Sequence, residues 1–124
     1  MISTPKLVRL ADAAFWSALV LAYVITHWPK ISIPAGTDHS FHSIGYLGLG
    51  VLAANRLWFR RALTIRSALG WFLALSAWAD FDEVSQPWFG RHADIYDWYA
   101  DLRGLGVGIG LCWLLASLLP RSSQ

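Results

Sequence analysis

Polar and ionisable residues with the types needed for chemistry gather in two short segments of an otherwise apolar chain. In the first segment, Asp38, His42 and Tyr46 are spaced at i, i+4 and i+8, which places them on one face of a helix that begins near Asp38. Asp38 also suits a helix start, where a carboxylate can cap free backbone N–H groups. The structural alternatives are a single hydrogen bond from His42 to a neighbouring helix and a packed Tyr46 ring with its hydroxyl paired.

The second segment covers residues 80–101 and is rich in carboxylates. Glu83 and Gln86 share a helix face if the preceding helix continues past residue 80, and Pro87 and Gly90 then interrupt that helix. The segment therefore predicts a helix end, a sharp turn and the start of another helix.

A stripe of small and acidic residues follows the turn. Asp97, Asp101, Gly104 and Gly108 are spaced at i, i+4, i+7 and i+11, so they share one helix face. The GxxxG pair lets two helix backbones approach closely in a membrane. For Asp94, near the helix start, a solvated capping role is the alternative to a role in the site.

Ionisable groups at membrane depth are costly unless paired, so the two segments together predict a functional site. Arg91 is the expected counter-ion and could hold one carboxylate through two hydrogen bonds. Because crowded carboxylates cannot all ionise cheaply, the pKa of at least one of them should be raised. The predicted ligand-binding residues are Asp38, His42, Tyr46, Glu83, Gln86, Arg91, Asp97 and Asp101.

If the protein is an enzyme, the catalytic candidates are Glu83, His42 and Asp97. Glu83 or His42 would act as general base, and Asp97 would orient His42. A divalent metal could sit among Asp38, His42, Glu83 and Asp97, but their spacing fits no standard metal motif. The sequence therefore predicts no metal and no other cofactor.

The composition indicates the elements that must position these residues. The chain has 124 residues, of which 56% are hydrophobic and only 15% are charged, and it contains 8 Trp. A domain of this size has too little interior to bury so much apolar surface, which argues against an ordinary soluble domain. The same numbers exclude a disordered chain and a nucleic-acid-binding arm, and the single Cys112 excludes an internal disulfide.

Four apolar runs of membrane-spanning length divide the chain. With their flanking turns they predict four transmembrane helices over residues 8–29, 39–58, 62–82 and 97–119, within one domain over residues 1–124. The predicted fold is an all-α integral membrane bundle, and a soluble four-helix bundle is the alternative. The first run ends in Thr26 and His27 without a small-x-small cleavage site, so it is expected to be a retained helix.

The charges indicate an orientation. Four spans place the N-terminus, the middle loop and the C-terminus on one side with 7 of the 10 basic residues: Lys6, Arg9, Arg56, Arg60, Arg61, Arg66 and Arg121. The other side has Lys30, Arg91 and Arg103, together with 7 of the 8 acidic residues. Both termini are therefore expected in the cytoplasm, with the polar site at the extracytoplasmic end.

The two polar segments, in this order, resemble the signature of VanZ-like membrane proteins, a family named for a teicoplanin-resistance protein. The resemblance covers residues 37–119 and rests on Asp38, His42, Tyr46, Asp82, Glu83, Gln86, Gly90, Arg91, Asp97, Gly104 and Gly108. The chain departs from the family pattern at His39 (usually Lys), Ser43 (usually Phe) and Asp101 (usually Asn). The first and last departures make the site more acidic and more responsive to pH.

The resemblance implies a bacterial envelope protein in the cytoplasmic (inner) membrane, associated with resistance to glycopeptide antibiotics of the teicoplanin type. We expect it to bind or shield a lipid-linked cell-wall component, or a glycopeptide, at the outer leaflet. The alternatives are a membrane enzyme acting on such a lipid, with Glu83 and His42 as acid–base groups, and a proton- or cation-linked carrier. The bilayer is the expected partner, nucleic acid is not, and self-association is left open.

Overall fold

The structure is a computed structural model that describes residues 4–29 and 37–119. They form four long α-helices: α1 (Thr4–His27), α2 (Asp38–Phe59), α3 (Ile65–Ser85) and α4 (Ile95–Leu118). Within these ranges there is no β-strand, so the all-α prediction is confirmed. The helices coincide with the four predicted spans to within a few residues. Lys30 and Arg121, which contribute to the charge asymmetry, lie outside the described residues.

Local side-chain chemistry sets the starts of α3 and α4. Thr64 caps α3 and forms a reciprocal capping box with Ser67. Asp94 caps α4 by accepting a 2.8 Å hydrogen bond from the Tyr96 backbone N–H, as its capping alternative predicted. At α2 the N-cap is Thr37, so the capping role considered for Asp38 is wrong. Asp38 is instead the first residue inside the helix.

The connection between α3 and α4 begins with a 3₁₀ turn, Gln86–Phe89. Pro87 occupies the first turn, where its missing N–H costs no hydrogen bond. Gly90 then has a φ of +77°, which glycine adopts without a steric penalty. The predicted interruption at Pro87 and Gly90 is confirmed, and it turns the chain so that α4 runs back alongside α3.

Helices α2 and α4 make the closest packing in the bundle. A Cβ added to Gly104 would collide with the carbonyl oxygen of Ser43, and one added to Gly108 would collide with that of Leu47. From the other side, a Cβ at Gly50 would lie 3.0 Å from the Leu105 carbonyl oxygen. The glycines thus allow backbone-to-backbone contact, which confirms the packing role predicted for the GxxxG pair.

Two of the four helices meet the length and composition expected of a membrane span. Pro5–His27 in α1 and Ile95–Leu118 in α4 are long and apolar enough to cross a membrane. Helices α2 and α3 fall short of this combined requirement, because polar and charged residues occupy their ends. Four membrane spans are therefore not shown by composition alone.

Apolar side chains are divided between a small core and the outer faces of the helices. Large apolar side chains are exposed on every helix, including α2 and α3: Phe41, Ile44, Leu47, Trp58, Ile65, Leu69, Leu73, Phe81 and Val84. The core between the helices is small and is built around Phe15, Leu19, Tyr46, Leu49, Ala53, Leu75, Ala79 and Leu105. Polar residues meet at the two ends of this core.

Candidate functional site

The C-terminal ends of α1 and α3 meet the N-terminal ends of α2 and α4 at one end of the bundle. Their ionisable side chains form what we call the histidine–carboxylate cluster: His27, His39, His42, Asp82, Glu83, Asp97 and Asp101. All of these residues except His39 are buried. The structure thus brings together residues from all four helices.

His42 stands between two aspartates of α4. Its Nδ1 atom lies 3.0 Å from Asp101 Oδ1, and its Nε2 atom lies 3.6 Å from Asp97 Oδ2. Asp101 is therefore the closer partner, whereas the sequence reasoning gave the orienting role to Asp97. The other Asp97 oxygen, Oδ1, lies 2.6 Å from Nδ1 of His39. Asp97 consequently links a buried histidine to an exposed one.

Asp82 connects α1, α2 and α3. Its Oδ1 atom accepts a 2.9 Å hydrogen bond from the Thr26 hydroxyl and lies 3.5 Å from His27 Nδ1. Its Oδ2 atom accepts a long, 3.5 Å hydrogen bond from the Tyr46 hydroxyl. Tyr46 therefore combines the two roles considered for it, because its ring packs in the core while its hydroxyl reaches the cluster.

His27 and Ser85 join α1 to α3 beside Asp82. His27 Nε2 lies 2.8 Å from the Ser85 hydroxyl, and Nδ1 lies 2.8 Å from the Tyr23 carbonyl oxygen. The three residue types are those of a Ser-His-Asp triad, but His27 Nδ1 is closer to the Tyr23 carbonyl than to Asp82. Ser85 is also fully buried, and its hydroxyl donates a 3.0 Å hydrogen bond to the Asp82 carbonyl oxygen. The arrangement therefore serves as a structural link between helices.

Glu83 is held by donors from the α3–α4 connection. Its Oε1 atom accepts a 2.6 Å hydrogen bond from the Asp94 backbone N–H, and Oε2 accepts one of 3.0 Å from the Gln86 side chain. Burial raises the pKa of Glu83 to about 7, although the hydrogen bond from Asp94 opposes this shift. Glu83 lies one residue beyond the predicted third span, and burial, rather than the crowding of carboxylates on which the expectation rested, is the main cause of its raised pKa.

Two predicted site residues lie at the edge of the cluster. Asp38 is half-buried, and its Oδ1 atom has no hydrogen-bond partner within the described part of the chain. Arg91 is half-buried, and its backbone N–H donates to the Gln86 carbonyl oxygen at 3.2 Å. The ion pairs described at this end join histidines to aspartates, so the pairing of Arg91 with a carboxylate stays a prediction.

Sequence reasoning missed several members of this site: Thr26, His27, His39, Asp82 and Ser85. A signal was present for Thr26 and His27, because two adjacent polar residues close an otherwise apolar run. His39 was considered only as a departure from the VanZ-like pattern, and Asp82 only as a residue matching it. Ser85 has no local signal, since its partner lies on a different helix.

A groove of about 460 Å³ opens between α2 and α4 next to the cluster. Its polar lining consists of His39, Ser40, Ser43 and Arg103, and its apolar lining consists of Ile44, Leu47 and Val107 beside Gly104. His39 belongs to both the groove and the cluster. One end of the groove, its mouth, is therefore lined by basic and hydroxyl side chains. The rest of its wall is apolar.

Comparison with known proteins gives one partial similarity. The chain is 32% identical over 120 residues to Magnetosome protein MamZ of Magnetospirillum gryphiswaldense. The aligned region covers 87% of this chain but only 18% of MamZ. No protein-family model matches the chain, and no solved structure matches it. The resemblance to VanZ-like proteins therefore rests on its motif residues.

Proposed function

We propose that this chain is a four-span protein of the bacterial cytoplasmic membrane that binds the phosphate headgroup of a lipid-linked envelope component at the outer leaflet. The observation that carries this proposal is the groove between α2 and α4, which is cationic and hydroxylic at one end and apolar along its wall. In this arrangement both termini lie in the cytoplasm and the histidine–carboxylate cluster lies at the extracytoplasmic end.

The exposed apolar faces support a membrane location for all four helices. A soluble monomer rarely exposes large contiguous apolar patches, yet here α2 and α3 present side chains such as Ile44, Leu69 and Leu73 to the exterior. Lipid would be a favourable solvent for these faces, and each helix satisfies its own backbone hydrogen bonds. The excess of basic residues at the opposite end of the bundle supports the proposed orientation.

The side chains of the groove suit a phosphorylated lipid. The Arg103 guanidinium offers a fork of donors that matches phosphate oxygens, and the hydroxyls of Ser40 and Ser43 add two neutral donors. Ile44, Leu47 and Val107 would contact the first carbons of the lipid chain. Because the groove faces the exterior of the bundle, the lipid can enter from the bilayer without opening the helices.

The cluster supports this role by fixing His39. The 2.6 Å contact between Asp97 Oδ1 and His39 Nδ1 holds the imidazole at the groove mouth. The imidazole therefore lines the groove together with Arg103 and offers its other ring nitrogen to a ligand. Asp97, one of the predicted ligand-binding residues, thus acts on the ligand through His39.

The two sequence relationships bear on the proposal in different ways. The resemblance to VanZ-like proteins is the basis for proposing an association with glycopeptide resistance, since the motif residues Asp38, His42, Tyr46, Glu83 and Asp97 all belong to or border the cluster. The similarity to MamZ covers only 18% of that protein, so the proposal takes no ligand or partner from it.

The test is a binding titration with polyprenyl phosphate, using the matching polyprenol as the uncharged probe. The purified chain, freed of lipid in detergent, is titrated with each probe and analysed by native mass spectrometry. We expect saturable binding of the phosphate only, weakened about tenfold in Arg103→Gln, which corresponds to the loss of one charge-assisted contact. Arg66→Gln, which alters an exposed arginine at the opposite end, should bind like the wild type.

Equal binding of polyprenol and polyprenyl phosphate would contradict the proposal, as would equal effects of Arg103→Gln and Arg66→Gln. The link to resistance has its own readout. Expression of the chain in a susceptible bacterium should raise the teicoplanin concentration needed to stop growth, and Arg103→Gln should reduce that protection.

A membrane enzyme acting on the same lipid is the second candidate. It is favoured by the proximity of Glu83 and His42, whose side-chain donor atoms lie within 4.8 Å of each other and could serve as acid and base. The mass of the added lipid distinguishes the two functions, because a binding protein leaves it unchanged. Chemical conversion of the lipid that is lost in Glu83→Gln and His42→Ala would establish an enzyme. A pH-driven flux of protons or cations across vesicles containing the protein would instead indicate a carrier.

A further inference from the structure

We propose that His42, Glu83 and Asp101 bind one divalent transition-metal cation, such as Mn²⁺ or Zn²⁺, inside the histidine–carboxylate cluster. These residues come from α2, α3 and α4 respectively, and each offers one donor atom within 4.8 Å of the others. All three are buried. This site is independent of the lipid groove and does not require the proposed function.

The distance between the two closest donors fits a shared cation. His42 Nδ1 and Asp101 Oδ1 are 3.0 Å apart. Two ligands that each lie about 2.1 Å from one ion are separated by about 3.0 Å at the right angle of an octahedral site and by about 3.4 Å at a tetrahedral angle, so only a small movement of either side chain is needed. Glu83 approaches from a third helix and would complete a three-residue ligand set.

An unpartnered oxygen on Asp101 is the independent observation that points to a ligand. Asp101 is fully buried, and its Oδ2 atom has no hydrogen-bond partner within the described residues. A buried carboxylate oxygen without a partner costs free energy, and such groups in proteins call for an ion, a water or a functional role. A cation bound through both oxygens of this carboxylate would give Oδ2 a partner and remove that cost.

Neighbouring groups are placed to orient the three ligands. Asp97 Oδ2 lies 3.6 Å from His42 Nε2 and favours a proton on that nitrogen, which leaves the Nδ1 lone pair for a metal. The Asp94 backbone N–H and the Gln86 side chain each donate to one oxygen of Glu83 and fix the carboxylate. Metal ligands in proteins are commonly held in this way by outer hydrogen bonds.

The donor types define the class of cation. One imidazole and two carboxylates suit Mn²⁺ or Zn²⁺, whereas a site for Mg²⁺ or Ca²⁺ is usually built from oxygen donors alone. Two ionised carboxylates with a neutral histidine balance the charge of a divalent ion. The site would also tie α2, α3 and α4 together at the same end of the bundle.

The experiment measures metal content and stability of the full chain in detergent. After treatment with a chelator, the protein is incubated with Mn²⁺, Zn²⁺ or Mg²⁺, desalted and analysed for bound metal, and its thermal unfolding is recorded. We expect about one Mn²⁺ or Zn²⁺ per chain and a higher unfolding temperature with that ion. Asp101→Asn and Glu83→Gln should each weaken binding by more than the roughly 100-fold that loss of an outer-shell partner costs.

Two further variants separate this site from the neighbouring carboxylates. Asp80→Asn removes an exposed carboxylate from the same helix as Glu83 and should leave metal binding unchanged. Asp38→Asn tests the neighbouring donor set formed by Asp38, His42 and Asp97, and it should also leave binding largely unchanged. Circular dichroism of each variant identifies any that fail to fold.

The proposal is overturned if no ion binds saturably, or if folded Asp101→Asn and Glu83→Gln both retain wild-type affinity. It is also overturned if Asp38→Asn abolishes binding while Asp101→Asn does not, because the ion would then belong to the neighbouring set. We expect Asp101→Asn and Glu83→Gln to lose the metal but to bind polyprenyl phosphate like the wild type. That result would show that the metal site and the lipid groove are separate.

Discussion

Both ends of the bundle contain charged side chains, but the partners of the carboxylates differ between the ends. At the basic end, Asp12 lies between two arginines, with Arg56 Nε 2.7 Å and Arg60 Nη2 2.5 Å from its carboxylate oxygens. At the other end, the four buried carboxylates of the histidine–carboxylate cluster share three histidines and have no arginine or lysine among the ion pairs described there. Each end has a buried polar atom without a hydrogen-bond partner among the described residues, Arg56 Nη1 at the basic end and Asp101 Oδ2 in the cluster. One end has an excess of positive charge and the other an excess of negative charge.

The surroundings of Arg56 strengthen this contrast. The centre of its guanidinium lies 4.7 Å from the Phe15 ring, 5.1 Å from the Trp16 ring and 4.8 Å from the Trp71 ring. Aromatic faces attract a cation and cover it with apolar surface at the same time. The basic end therefore has the character of a structural joint between α1, α2 and α3.

The contrast indicates where function resides. Removing one partner of a covered ion pair leaves an uncompensated charge and is destabilising, whereas a crowded group of buried carboxylates already carries a desolvation cost and suggests a functional site. On this view, substitutions at the basic end should weaken the fold, and some substitutions in the cluster should leave it as stable or make it more stable. Stability measurements on single variants can test that difference.

The largest effect is expected from Gly108→Ala, because α2 contributes side chains to both ends and its position depends on contact with α4. The added Cβ would meet the backbone of Leu47 and Val51, which cannot move aside as a side chain can. We expect a loss of at least about 3 kcal/mol in the free energy of unfolding, measured by denaturation in detergent.

Gly110→Ala is the control on the same helix, since nothing lies within 4 Å of its added Cβ. If the two variants are equally stable, the α2–α4 contact does not hold the two ends in place, and the ends cannot be compared as parts of one rigid bundle.

The next effect is a pH dependence that originates in the cluster. The pKa of Glu83 is raised from 4.5 to about 7, so its stabilising contribution is fully present below pH 4.5 and is lost as the pH rises to about 7. In metal-free protein, this carboxyl should lower the free energy of unfolding by at most about 3 kcal/mol across that interval. Glu83→Gln cannot ionise and should show a flatter profile than the wild type.

The exposed Asp80 provides the matched control for this measurement, because Asp80→Asn removes a carboxylate from the same helix without removing the buried one. Its profile should follow that of the wild type. Parallel profiles for the wild type and Glu83→Gln would mean that Glu83 is not held in an unfavourable environment, and the cluster would then resemble the basic end.

Much of this contrast was predictable from periodicity within single helices. The i, i+4 spacing of Asp38, His42 and Tyr46 and the stripe that begins at Asp97 correctly indicated which faces turn inward. The turn at Gly90 was equally local, because a proline and a glycine interrupt a helix wherever they occur together. Elements whose cause lies within a few residues were therefore predictable.

Partners on different helices were not predictable in this way. The choice between Asp97 and Asp101 as the closer partner of His42 depends on the rotation of α4 against α2, which the glycine contacts set. The links from Thr26 and His27 to α3 depend on where α1 ends relative to Asp82. The spacing of residues in the sequence predicts which of them share a face of one helix. It does not predict how two helices are rotated or shifted relative to each other, and that determines which side chains meet.

The smallest effect is expected at the basic end, from Arg56→Leu. The leucine keeps apolar contact with the rings of Phe15, Trp16 and Trp71 but removes the cation that they surround, which should cost about 2 kcal/mol in the free energy of unfolding. Arg66→Leu alters an exposed arginine and should change stability by less than about 0.5 kcal/mol.

Because Arg56 lies far from the groove, Arg56→Leu should bind polyprenyl phosphate like the wild type while it remains folded. Weaker lipid binding by folded Arg56→Leu would show that the basic end also contributes to function, and the division of the molecule into a structural end and a functional end would fail.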